Sequence, residues 1–208
     1  MTKPARPMPS AVLEVPSAPA MPAEGVARLA RALEGADCFL EYGAGGSTRL
    51  AASMKVPHIY SVESDKAFAA AVARAVAAEG ARSVLHSIVA DIGPTGPLGR
   101  PVDRSHMHNW PDYAVAVWRN LKADGRTPDV VLIDGRFRVA CFLASAMNLP
   151  AGAAILFDDY EGRSRYHVVE RHMPLAAMEG RMAVFEVPKN LDYPAMAMDL
   201  AHYAVDYG

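Results

Sequence analysis

Apolar and polar positions along the chain follow two alternating rhythms. CFLEY (38–42), HIYSVE (58–63), SVLHSIVAD (83–91), DVVLID (129–134) and AAILFDD (153–159) are short apolar runs rich in β-branched and aromatic residues. They read as buried strands. Between them the apolar spacing is helical. AEGVARLARALEGA follows Pro22, with Gly35 as its stop. Further helices are expected over Ser47–Met54, Lys66–Ala78, Asp112–Leu121, Arg138–Met147 and Arg163–His172. Short apolar strands separated by helices predict a parallel sheet covered on both faces. The rhythm then changes. PLAAMEGRMAVFEV predicts two strands joined by a tight turn at Glu179–Gly180, and YPAMAMDLAHYAVD predicts a closing helix. The expected fold is α/β, a doubly wound, mostly parallel sheet with a C-terminal antiparallel hairpin.

Two segments break the pattern. Residues 1–20 carry Pro4, Pro7, Pro9, Pro16 and Pro19, a density that blocks helix and sheet pairing. An extended N-terminal arm is expected, laid over the body or over a second copy in a homodimer. Residues 21–208 are expected to form one domain. IGPTGPLGRPVDRSHMHNW (92–110) has no period and reads as an irregular loop with a functional role.

Bulk properties narrow the partners. The 208 residues suffice for one substantial core. A net charge of −2 gives no whole-molecule attraction to nucleic acid or anionic membrane, so neither is an expected partner. No apolar run approaches the roughly 18–20 residues of a membrane span. The N-terminus lacks a continuous apolar secretory segment, so a cytoplasmic protein is expected. Cys38 and Cys141 fall in apolar patterns and are expected to be buried free thiols.

Right-handed crossovers put all parallel strand ends on one edge, where ligands bind. Every expected strand delivers an acid there: Glu41, Glu63, Asp91, Asp134, and the pair Asp158–Asp159. The first strand runs into the turn EYGAGGST. No lysine follows Gly46, which excludes a triphosphate loop. Gly43 and Gly45 fit a dinucleotide fingerprint, but Thr48 stands at its third glycine. Glu63 lies 18 residues beyond Gly45, where an acid takes a ribose diol. An adenosine-containing ligand is implied, without saying which.

The order EYGAGG, SVES, VAD, acidic fourth and fifth strand ends, then a hairpin, resembles class I S-adenosylmethionine-dependent methyltransferases, over roughly residues 35–190. The resemblance implies a Rossmann-like methyltransferase fold with S-adenosylmethionine as cofactor. Gly43, Gly45, Gly46 and Ser47 would then lie along its methionine portion, with Glu41 near its ammonium. Glu63 and Ser64 would take the ribose, and Asp91 and Ile92 the adenine. The chain departs from the family at Ser47, often glycine, and at DGRF after the fourth strand, where nitrogen-directed members carry Asn/Asp-Pro-Pro-aromatic.

The acceptor side is read the same way. Asp134, Asp158 and Asp159 resemble the magnesium ligands of catechol-type O-methyltransferases, although that family's lysine base is replaced here by Phe137. Two GRxR segments, with Arg136 and Arg138 and with Arg163 and Arg165, are expected on the same edge. There they either pair with the aspartates or bind an anionic acceptor. His106 and His108 lie in the long loop, with Trp110 and Tyr113 as aromatic walls. Asp134, Asp159 and His167 are the candidate catalytic groups. The expected activity is methyl transfer, with O-methylation favoured, to a small-molecule or glycan acceptor that is anionic or hydroxyl-bearing. An NAD-type oxidoreductase and a catalytically silent methyltransferase-like binding module are the alternatives.

Overall fold

The computed structural model describes residues 13–208. Seven strands form one sheet: β1 (Cys38–Tyr42), β2 (His58–Glu63), β3 (Val84–Val89), β4 (Val130–Ile133), β5 (Ala154–Phe157), β6 (Leu175–Glu179) and β7 (Met182–Glu186). Their order is β3-β2-β1-β4-β5-β7-β6. The first five are parallel, and β7 runs antiparallel to both β5 and β6. Six α-helices accompany them: α1 (Ala23–Leu33), α2 (Gly46–Ser53), α3 (Lys66–Ala78), α4 (Trp110–Ala123), α5 (Arg138–Asn148) and α6 (Tyr193–Tyr203). A dinucleotide fold would run 3-2-1-4-5-6 with a parallel sixth strand. The inserted antiparallel β7 departs from that order and matches the methyltransferase-type expectation for the fold.

Burial on both faces explains the continuous apolar runs of β1, β4 and β5, whereas β3, at the sheet edge, is largely exposed. Leu40, Tyr42, Val131, Ile133, Ile155 and Phe157 pack with residues of α4 and α5. Their alternates Phe39, Val130, Leu132 and Leu156 join Leu29, Leu33, Ala51, Val72 and Val76 of α1, α2 and α3. Side chains alternate along each strand, so this split follows from the pleat. Helix starts are capped locally. Asp65 accepts from Ala67 N and Phe68 N (2.8 and 3.0 Å) to open α3. Asp192 accepts from Ala195 N (3.0 Å) to open α6. Gly35 stands at φ +75° past α1, a left-handed position that glycine tolerates.

Two expectations are corrected. Residues 164–171 form a 3-10 helix rather than an α-helix. Its buried residues, Tyr166 and Val169, are three apart, which the threefold repeat stacks on one face. The 92–110 loop is not structureless. Thr95 and Pro101 bridge antiparallel, Gly96 N donates to Arg100 O (2.7 Å), and short 3-10 turns occupy 97–99 and 107–109. Cys38 and Cys141 are buried free thiols. Among the described residues no helix is long and apolar enough to cross a membrane.

The arm expectation falls partly outside the described residues, at 1–12. Where described, the arm lies on the body of its own chain. Arg49 Nη1 donates to Val15 O (2.9 Å), and Arg181 Nη2 donates to Ala20 O (2.9 Å). Ala18 O stands only 2.0 Å from where a Cβ on Gly46 would project.

Candidate active site

β2 and β3 lie on one side of β1, and β4 lies on the other. The gap between the β1 and β4 ends is therefore the topological switch point, where a ligand crevice opens. Gly43 and Gly135 line it back to back. A Cβ on Gly43 would sit 3.0 Å from Gly135 Cα, and one on Gly135 would sit 2.2 Å from Tyr113 Oη. Gly43 also holds φ +98°. Any side chain here would push the two turns apart. Nothing lies within 4 Å of the Cβ direction of Gly45, so that backbone faces open space.

Glu41 is fully buried and points beneath the turn. Ser47 Oγ donates to its Oε2 (2.5 Å), and Thr48 Oγ1 donates to its Oε1. Thr48 Oγ1 also accepts from Gly45 N (2.9 Å). Burial pushes the Glu41 carboxyl up to about 7, while the Ser47 and Thr48 hydroxyls pull it partly back. Both carboxyl oxygens are engaged, so Glu41 shapes the turn from below.

At the β2 end, Glu63 Oε1 accepts from Ser64 N (2.6 Å), Asp65 N (2.9 Å) and Ser64 Oγ (3.1 Å). Its Oε2 makes no hydrogen bond to a described residue. The loop folds over this end, since a Cβ on Gly99 would lie 2.7 Å from Ser64 Oγ. At the β3 end Asp91 Oδ1 accepts from Gly93 N (3.1 Å), and Trp110 Nε1 donates to Ile92 O (3.0 Å). The His106 ring packs on Gly93, and His108 stacks 6.3 Å from it. Trp110 and Tyr113 are buried walls that pack against Phe137 at 5.7 and 5.3 Å. Tyr207 closes the same aromatic group, 5.5 Å from Trp110. Phe137 is held in the left-handed region (φ 52°, ψ 37°), a conformation that full burial enforces.

Asp134, Asp158 and Asp159 converge, with carboxylate atoms within 4.8 Å of one another. Oxygen donors of this kind suit magnesium. Each is already bound by arginine, however. Arg138 Nη2 reaches Asp134 Oδ1 at 3.1 Å and Asp159 Oδ2 at 3.5 Å. Arg181 grips both oxygens of Asp158 (3.1 and 2.7 Å) and reaches Asp159 Oδ1 at 3.0 Å. Arg163 Nη2 takes Asp159 Oδ2 at 2.7 Å. This arrangement is a neutralised ion-pair network, so the three carboxylates would hold a metal only where the arginines gave way. Asp134 keeps one oxygen, Oδ2, without a hydrogen bond to a described residue. Burial pushes its carboxyl up to about 6, against the pull of Arg138.

Three of the four arginines of the two GRxR segments gather around one ring. Arg165, Arg138 and Arg163 surround the Tyr166 ring at 5.0, 5.9 and 5.9 Å. Arg138 is buried and donates to Gly135 O, Asp158 O and Asp134 O (2.9, 2.7 and 2.9 Å), so it pins the β4 and β5 turns together. His167 is not brought to this group. It stacks on Tyr160 at 4.9 Å, on the exposed side of the 3-10 helix, with no hydrogen bond to the three aspartates. Arg181 escaped sequence reasoning. Its signal was the β5–β7 pairing, Phe157 opposite Ala183, which sets the hairpin turn against Asp158–Asp159. A cavity of about 1060 Å³, lined by Pro19, Arg49, Lys55 and Arg82 among others, lies between the arm, α2 and the segments that enter β2 and β3.

No family model matches the chain, and comparison with curated proteins finds no match. Solved structures do match. The cofactor-bound Rv0187 from MTB is 17% identical, covers 85% of each chain and has a TM-score of 0.55. An O-methyltransferase from Bacillus cereus in complex with SAH is 13% identical, over 83% of this chain and 82% of that one, with a TM-score of 0.51. At that identity both speak for the fold alone. A methyltransferase-like protein from Silicibacter pomeroyi is 40% identical over 92% of this chain and 100% of that one, with a TM-score of 0.82. That degree of identity over nearly the whole length, on this sheet order, makes the chain a member of the class I S-adenosylmethionine-dependent methyltransferase-like family.

Proposed function

We propose that the chain is a methyltransferase that binds S-adenosylmethionine across the β1, β2 and β3 ends and methylates an oxygen of a small acceptor beside β4 and β5. The observation that carries this reading is the pairing of an open Gly45 backbone with a Glu63 carboxylate that keeps Oε2 free. Glu63 Oε1 is anchored by its own turn, so Oε2 is left to take a ribose hydroxyl. Ser64 flanks it, and Asp91 with Ile92 takes the adenine. Gly43, Gly45, Gly46 and Ser47 lie along the methionine portion, over the carboxyl of Glu41.

Bound S-adenosylmethionine supplies an activated methyl group on a sulfonium. The protein's remaining tasks are alignment and proton removal. Asp134 stands at the switch point with Oδ2 free, and burial brings its carboxyl to about 6. A carboxylate so placed accepts a hydroxyl proton near neutral pH, which favours O-methylation. Arg138 holds Asp134 in position, and Asp159 bears on it only through that shared guanidinium. No step is assigned to a metal.

A second reading, a methyltransferase-like binding module, is favoured by one observation. Trp110, Tyr113, Phe137 and Tyr207 pack against one another where an acceptor would enter. Isothermal titration with S-adenosylmethionine, S-adenosylhomocysteine and NAD tests the cofactor, and binding of NAD alone overturns it. An acceptor screen with methyl-labelled cofactor then separates enzyme from module.

A further inference from the structure

Eight charged groups meet at the β4 and β5 ends: five arginines (Arg136, Arg138, Arg163, Arg165, Arg181) and three aspartates (Asp134, Asp158, Asp159). The ion pairs engage Arg138, Arg163 and Arg181. Arg136 and Arg165 have no carboxylate partner among the described residues. Arg136 therefore remains a half-buried cation without a carboxylate, and Arg165 an exposed one that packs beside Gly208.

Arg136 is the more unusual. It is only partly exposed, and its Nε is buried without a hydrogen-bond partner. Its backbone N donates to Tyr113 Oη (3.2 Å), so the turn holds the residue in place. The charged side chains around it are Arg138 and Arg100, both cations, with the phenols of Tyr113 and Tyr166 beside them. Burial and these cations pull its pKa down, yet a guanidinium stays charged at any physiological pH. A buried charge without a partner is costly, and a protein retains one where something else supplies the opposite charge. Arg165, in the other GRxR segment, shares Tyr166 as a neighbour with Arg136. Its Nη2 donates to Tyr166 Oη (3.2 Å), and its guanidinium lies over the ring of that same Tyr166.

We propose that Arg136 and Arg165 form an oxyanion anchor for the acceptor, so that the acceptor is a hydroxylated compound bearing a carboxylate or a phosphate group. This rests on the methyl-transfer reading above. Planar guanidinium forks match both oxyanions bidentately. Arg136 follows Asp134 by two residues, so the anchored group and the hydroxyl facing Asp134 belong to one compact molecule. The division among the four arginines also becomes definite: Arg138 and Arg163 hold the aspartates, and Arg136 and Arg165 hold the acceptor.

The test titrates inorganic phosphate and acetate separately into the full chain, with and without S-adenosylhomocysteine. Saturable binding of at least one is expected, and which one binds tells phosphate from carboxylate. Arg136→Ala and Arg165→Ala should each weaken that binding at least about tenfold, as loss of a charge-assisted hydrogen bond requires. Both should leave S-adenosylhomocysteine binding intact. Arg82→Ala, at the far end of the sheet, is the control for general charge. Arg165 is exposed, so its variant tests the anchor even if Arg136→Ala does not fold. No saturable binding of either anion, or an equal loss in Arg82→Ala, overturns the anchor. Failure of S-adenosylhomocysteine to bind instead strikes the cofactor reading, while the anion titrations still decide the anchor.

Discussion

Thr48 donates its hydroxyl hydrogen to Glu41 and accepts from Gly45 N, so the residue that breaks the dinucleotide fingerprint fastens the glycine turn to a buried acid. Thr48→Val keeps the shape and removes both hydrogen bonds. A loss of about 1–3 kcal/mol in unfolding free energy is expected, because a buried carboxyl loses a donor and an N–H its acceptor. Weaker S-adenosylmethionine binding should accompany it. Thr48→Gly restores the three-glycine spacing, yet it should also weaken the cofactor and gain no NAD affinity. Chemical denaturation and calorimetric titration check both variants. NAD binding by Thr48→Gly would mean that the fingerprint, not the Glu41 contact, governs the ligand.

Glu41 also makes stability depend on pH. Its folded-state pKa, about 7, lies above the ordinary value of 4.5, and burial is the main cause. Between those values the folded state binds more protons than the unfolded one. Its contribution is therefore full below the unfolded pKa and is lost as pH rises through about 7. The size is on the order of 3 kcal/mol. Asp134, raised from 3.8 to about 6, acts in the same direction. Glu41→Gln should flatten the fall in stability between about pH 5 and about pH 8 without abolishing it. Urea unfolding at the two ends of that range measures the difference. An unchanged slope in the variant would remove Glu41 from the explanation.

The arm and the turn are in contact at Gly46. With Ala18 O so close to its Cβ direction, Gly46→Ala cannot be accommodated while the arm stays in place. The arm must shift, at a cost of about 1–3 kcal/mol. The Arg49 bond to Val15 O and the Arg181 bond to Ala20 O should then loosen together. Limited proteolysis should cut within residues 13–22 faster in the variant than in the parent chain. Equal cleavage would mean that the arm is not held by this contact.

Much of this was legible from pattern. CFLEY and HIYSVE coincide with β1 and β2, and Lys66–Ala78 coincides with α3, because burial on both faces leaves continuous apolar runs between helical spacings. Strand parity also carried information left unused. Glu41 shares the face of Phe39, which packs under α2, so a side chain pointing beneath the turn follows from the pleat. Other features depend on tertiary register. The 3-10 helix at 164–171 follows from which residues meet the core. The pairing of Arg181 with Asp158 follows from how β7 lies on β5. The division of the four GRxR arginines needs both.

Arg181 decides whether the three aspartates form an ion-pair network or a metal site. Asp158 has no exposed surface, and Arg181 engages both of its oxygens. Arg181→Met retains the aliphatic packing and leaves that carboxylate buried without a counter-charge. Breaking a buried pair from one side costs about 3–5 kcal/mol. A divalent cation could then take the place the guanidinium left, since the Asp134, Asp158 and Asp159 oxygens lie within 4.8 Å. Magnesium should therefore raise the melting temperature of Arg181→Met and leave that of the parent chain unchanged. Methyl transfer by the parent chain should likewise be insensitive to chelator. A parent chain that loses activity in chelator and regains it with magnesium would show that the guanidinium yields its place to a metal during turnover.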